Sequence, residues 1–189
     1  DMRYIEAAEK LFAGTDVTPV LGRKDEIFKR LAEYKTVGIS FAQTTHAEYL
    51  ALEKAGVTLK DMDGAYEEAM SVKNEWELAN IRKACQIAED GFNALLSEIK
   101  AGRTETEVAA LLEYNMRALG AQGLAFETIV AFGANAAVPH HETGLTKLQF
   151  GDEILIDFGC RVNGYCSDIT RTFLFGDDGK HEEFKKAYA

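Results

Sequence analysis

The sequence predicts an α+β protein in two parts: a small α/β unit over residues 1–72, and a second unit over residues 73–189 in which two long helices precede antiparallel strands. Three observations predict it. Short β-rich and helical runs alternate up to about residue 70. Capping boxes open long amphipathic runs at Asn74 and Thr104. Asn163-Gly164 lies between two β-patterned runs, one of the strongest short-range hairpin signals.

In chain order, the patterned sequence begins at once, at Asp1 to Phe12, without a solvated lead-in. KDEIFKRLAEY then has a helical period, KTVGISF the composition of a strand, and TTHAEYLALEKAG a helical period that stops at Gly56. Composition shifts near Ser71. Asn74 and Glu77 stand at capping-box spacing before a long amphipathic run, which is expected to stop at Gly102. Thr104 and Glu107 repeat the box before VAALLEYNMRAL, and Gly120 provides the stop. FETIVAF follows as a strand, GANAAVPHHETG as a loop, and EILIDFGC and YCSDITRTFLF as the arms of a hairpin. KHEEFKKAYA has the pattern of a helix opening with no stop signal, and the chain is expected to be an incomplete piece.

Composition narrows the function classes. With 47% hydrophobic and 28% charged residues the chain is too apolar for disorder and too interrupted for a membrane span. Its formal charge of −10, with no cluster of basic residues, disfavours a nucleic-acid partner. No secretory signal is visible, and Cys85, Cys160 and Cys166 are an odd set without a CxxC pair. A disulfide framework is therefore not expected, and the default compartment is a reducing one, the cytoplasm.

The hairpin fixes a register by counting. If Val162 and Tyr165 flank a type I′ turn, Asp157 lies opposite Thr170 and Asp168 opposite Gly159, so the two aspartates are diagonal neighbours on one face. That face carries Leu155, Asp157, Gly159, Cys166, Asp168, Thr170 and Thr172. The other carries Ile154, Ile156, Phe158, Val162, Tyr165, Ile169 and Phe173, as a sheet packed against helices requires. Diagonal pairs sit about 7–8 Å apart at the backbone, a span that carboxylates can close around a cation, with Gly159 leaving room. Two carboxylates converging on a half-buried face are costly unless one is protonated or a cation lies between them. Solvent-facing or turn-forming aspartates are the alternative. Asp157 inside the apolar run ILIDFG, expected to be buried on both faces, favours the metal reading. Oxygen donors suit hard or borderline ions such as Mn, Co or Zn.

The stretches IDFGCRVNGYCSDITRTF and TIVAFGANAAVPHHETG, with Pro139-His140 and Gly151-Asp152, resemble the family of Xaa-Pro dipeptidase, aminopeptidase P and methionine aminopeptidase. VKNEWELANIRKAC looks like that family's entry into its catalytic domain. The resemblance covers residues 71 to 189, and the preceding piece is similar to the amino-terminal domain of the proline-directed members. It implies the first half of a pita-bread catalytic fold, preceded by part of a small α/β amino-terminal domain. It also implies two divalent metal ions, a proline-containing peptide as substrate, no membrane partner and a homodimer. Carried over residue by residue, Asp157 matches the first metal ligand, Asp168 the bridging ligand, and His140 the loop histidine that contacts substrate or intermediate.

Thr170 is either a support for a ligand carboxylate or a structural cross-strand threonine. His141 is expected to be a loop residue rather than a ligand, and His46 and His181 are assigned nothing. Cys160 and Cys166 point to opposite faces and are expected to be filler. The family's remaining ligands, one histidine and two glutamates, are not matched in the chain, so the 189-residue chain itself is expected to be inactive. A non-hydrolytic binding module and a metal-independent hydrolase on the same fold are the alternatives. Both are disfavoured by the presence of the two aspartates.

Overall fold

The computed structural model describes residues 5–15, 24–176, 179 and 181–188. Residues 1–4 of the patterned amino-terminal run, with Lys180 and Ala189 of the carboxyl-terminal run, lie outside the described residues. The chain divides into two compact units, Asp1–Val72 and Lys73–Ala189.

The first unit contains α1 (Ile5–Leu11), α2 (Lys24–Leu31), β1 (Thr36–Ile39), α3 (His46–Lys54), β2 (Thr58–Asp61) and α4 (Asp63–Ser71). β1 and β2 pair in parallel, with Thr36 opposite Thr58, and α3 supplies the crossover that parallel strands need. A capping box that the sequence analysis did not single out, Thr45 with Glu48, starts α3. β2 and α4 were not separated by sequence either. The run Thr58–Asp61 is too short and polar to show a period.

The second unit is a helical pair laid over antiparallel strands: α5 (Glu75–Leu96), α6 (Glu105–Ala118), β3 (Gly123–Leu124), β4 (Ile129–Phe132), β5 (Glu153–Phe158), β6 (Cys160–Val162), β7 (Tyr165–Cys166), β8 (Ile169–Leu174) and α7 (Glu182–Tyr188). Both expected capping boxes are formed, Asn74 with Glu77 and Thr104 with Glu107. α5 ends at Leu96, before the stop expected at Gly102. Ser97 turns its hydroxyl back to the carbonyl of Ala94, and Glu98 closes a turn onto Leu95, so the helical ladder is already broken there. Gly102 instead donates to the carbonyl of Leu148.

α5 buries Ala84, Ile87, Ala88, Phe92 and Leu95, a stripe at helical spacing. Gly91 lets α6 approach, because a Cβ there would stand 2.9 Å from Cγ of Met116. The strands face this stripe with Val130, Phe132, Ile154, Ile156 and Phe158, and Phe92 stacks on Phe158 at 5.4 Å. One sheet has the order β4-β5-β8 and the other β3-β6-β7. β5 and β6 are successive stretches of one arm, separated by Gly159 and paired into different sheets.

Candidate metal centre

The turn at Asn163-Gly164 has positive φ at both positions, 49° and 87°, as a type I′ turn requires. Val162 lies opposite Tyr165 and Asp157 opposite Thr170, and one offset holds from Val162–Tyr165 to Glu153–Leu174. Gly159 and Asp168, between the paired stretches, therefore oppose each other, since Phe158 pairs with Ile169 and the amide of Ser167 donates to the carbonyl of Cys160. The tip of the hairpin is fastened to α5. Asn163 Nδ2 donates to Oδ1 of Asn80 at 2.9 Å, and the Tyr165 hydroxyl donates to Oε1 of Glu77 at 2.8 Å. That bond to the glutamate carboxylate is the main reason the Tyr165 phenol is held above its usual range.

The greasy face is as expected, with Ile154, Ile156 and Phe158 buried and Val162, Ile169 and Phe173 packed against the core. Burial of β5 on both faces is not observed. Leu155 and Asp157 are half-buried, because the antiparallel pair presents its second face to a cavity rather than to another layer. The room expected at Gly159 is also absent. A Cβ there would run into the carbonyl oxygen of Ser167 and lie 3.0 Å from Phe126, so the missing side chain serves the close approach of the two arms. Cys160 is buried and Cys166 exposed, on opposite faces.

A cavity of about 340 Å³ gathers the candidate residues from three separate segments. Asp157 comes from β5, Thr170 from β8 and His140 from the end of the 136–140 segment, with Ile129 and Leu155 as apolar walls. The Thr170 hydroxyl donates to Oδ1 of Asp157 at 2.9 Å. His140 is exposed, with φ of 53°, a left-handed conformation unusual outside glycine. Asp168 is exposed and is not among the residues that line the cavity. Among the described residues no three His, Cys, Asp or Glu side chains converge as a metal shell. The two carboxylates, one of them braced by a hydroxyl, are oxygen donors of the kind that hard or borderline cations take.

Sequence reasoning missed Glu105. This carboxylate, the first residue of α6, is completely buried and accepts four hydrogen bonds from the last residue of β4 and the loop that follows it. Phe132 N and Asn135 Nδ2 donate to Oε1 at 3.0 and 2.9 Å, while Gly144 N and His141 Nε2 lie 2.9 and 3.0 Å from Oε2. Burial pushes the carboxyl up, but the donors from Asn135, His141, Gly144 and Phe132 together outweigh it, and it sits below the usual glutamate range. His141 is thus a loop residue, as expected, but one with a specific partner. The available signal was an acidic residue beside a cap, followed much later by a loop of small residues whose backbone amides need acceptors.

Residues 79–189 match metallopeptidase family M24. The chain belongs to this family. A relative of this M24 chain, the Xaa-Pro dipeptidase of Pyrococcus furiosus, is 36% identical over 159 residues, covering 84% of the chain and 46% of the relative. Among solved structures, the Xaa-Pro dipeptidase from Bacillus anthracis superposes with a TM-score of 0.90 at 33% identity, over all of this chain and 54% of that one. The X-Pro aminopeptidase from Thermotoga maritima gives 0.87 at 34%, over 98% and 54%. The fold is accordingly the α+β pita-bread fold of these peptidases in about half its extent. The chain spans about half the length of the curated relatives it matches.

Proposed function

We propose that the complete protein is a metal-dependent peptidase that hydrolyses Xaa-Pro bonds, of the prolidase or aminopeptidase P type, and that Asp157 and Asp168 are two of its metal ligands. The single observation that carries the proposal is the cavity where Asp157, braced by Thr170, meets His140 from a separate loop. Family membership and the names of the relatives support the same reading. A bound divalent cation, Mn, Co or Zn, supplies Lewis-acid activation of a water nucleophile at neutral pH.

The chain's own residues do the rest. Asp157 and Asp168 bring negative charge to one face of the hairpin, and Thr170 holds one oxygen of Asp157 so that the carboxylate keeps a fixed orientation. In this reading His140, which lines the cavity, donates a hydrogen bond to the scissile carbonyl oxygen as charge develops on it. Ile129 and Leu155 give an apolar wall against which a substrate side chain can exclude water. Residues 1–72 are assigned as part of the amino-terminal domain and residues 73–189 as the amino-terminal half of the catalytic domain; a cytoplasmic homodimer using two ions completes the proposal.

The test is hydrolysis of an Xaa-Pro dipeptide and a longer Xaa-Pro peptide by the complete protein, with and without chelator. Turnover that survives complete removal of metal would overturn the proposal, as would cleavage indifferent to proline. The 189-residue chain alone is expected to be inactive, because two carboxylates are too few ligands for a tight site. Metal-dependent turnover by the pure chain would contradict that expectation.

A further inference from the structure

We propose that Glu105 is the positioning residue of this active site, acting through the 132–144 loop to hold His140 in its working place. The inference rests on the peptidase reading for what His140 does, but on geometry alone for how it is held.

His140 sits in a left-handed conformation, φ 53°, at the end of a loop that starts with a five-residue 3-10 turn, Gly133–Ala137. Such a residue has little intrinsic preference for its place and stays there only when the surroundings over-determine it. The surroundings that do so converge on one carboxylate. Glu105 reaches the loop's first residue through Phe132 N, its middle through Asn135 and its far end through His141 and Gly144. The helix that carries Glu105 is itself stitched to the loop's continuation. Glu105 N donates to Thr146 O and Thr106 N to Gly144 O, and the Thr106 hydroxyl adds a second bond to Gly144 O at 2.7 Å.

The chemistry requires a carboxylate. Each oxygen of Glu105 accepts from two donors, so both oxygens are needed as acceptors and neither position tolerates a proton. A glutamine of the same shape satisfies one pair of donors and turns its own amide protons towards the other pair. Glu105 does not line the cavity, so its effect on the reaction runs through the loop it holds, and the proposal assigns that effect to His140.

The experiment uses the complete protein with Glu105→Gln, His140→Ala and the double variant. In Glu105→Gln, backbone amide exchange at Phe132 and Gly144 is expected to rise ten-fold or more, with Leu112 in the same helix unchanged. Turnover number on an Xaa-Pro dipeptide is expected to fall at least ten-fold, with KM within three-fold. The double variant is expected to be no slower than His140→Ala, because a residue acting only through His140 has nothing left to act on. Unchanged exchange at Phe132 and Gly144, a His140→Ala variant as fast as wild type, or losses that multiply in the double variant would each overturn the proposal. If Glu105→Gln does not fold, Asn135→Ala and His141→Ala each remove one tie from the half-buried rim. They should show the same pattern at three-fold or more, and no change in either is the overturning result. Failure of the peptidase reading itself shows differently, as wild-type protein without turnover, while the exchange measurements still decide whether Glu105 orders the loop.

Discussion

The hydroxyl of Thr170 on β8 donates to Oδ1 of Asp157, the residue directly opposite it on β5, at 2.9 Å. Of the two readings left open by sequence, a support for the carboxylate or a plain cross-strand threonine, this geometry gives the first a specific bond. Thr170→Val in the complete protein is expected to weaken metal binding by about 10–100-fold, with Thr170→Ser close to wild type. Titration of the metal-free protein by calorimetry checks this. Equal affinity in Thr170→Val and wild type would remove Thr170 from the site.

Asp168 is exposed and stands on the aspartate face opposite Gly159. Asp168→Asn should therefore leave stability within about 0.5 kcal/mol of wild type, while abolishing turnover and lowering bound metal. Thermal unfolding, metal analysis and a peptidase assay on one preparation separate these effects. Retained turnover at normal metal content would show that Asp168 is not a ligand.

Gly159→Ala is expected to destabilise the hairpin by about 1–3 kcal/mol or more, since overpacking here is against backbone that cannot rotate away. The new methyl would run into the carbonyl oxygen of Ser167. Urea unfolding of wild type and variant measures it. An unchanged midpoint would mean that the two arms separate easily, and the close contact would then have no energetic weight.

Glu105 also predicts a pH dependence. Its carboxyl is held below the ordinary value of 4.5, the loop donors outweighing the upward push of burial. A folded-state pKa below the unfolded one contributes stability that is present above about pH 4.5 and is lost as pH falls through the folded value. Wild type should therefore lose urea resistance more steeply than Glu105→Gln, which has no proton to take up, as pH falls below the ordinary value of 4.5. Parallel curves for the two proteins would contradict the assignment.

Asn163 supplies both a left-handed residue to the turn and a side chain that donates to Asn80. Asn163→Ala is expected to cost about 1–2 kcal/mol, from the left-handed conformation and the lost bond together. Asn163→Gly keeps the turn geometry and should cost about 1 kcal/mol. Chemical denaturation of the pair checks the order.

What sequence made legible was local. Both capping boxes of the second unit depend on side chains three residues apart, and the hairpin register follows from a two-residue turn by counting, so each needed only neighbours in the chain. Glu105 escaped because its partners lie about 30 to 40 residues away, and an acidic residue in a first helical turn has an ordinary explanation in the helix dipole. The empty space assigned to Gly159 was wrong for a related reason. A glycine in a strand signals close approach, but not by what, and here the neighbour is the opposing backbone.

The unbroken offset along the hairpin arms makes the ribbon a ruler as well as a support. Side chains in a strand change sides with every residue, so adding or removing one amino acid between Asp157 and Asp168 would send one carboxylate in among Phe158, Ile156 and Phe92. A substitution along either arm leaves both carboxylates on their side of the ribbon; a change in the length of an arm moves one of them.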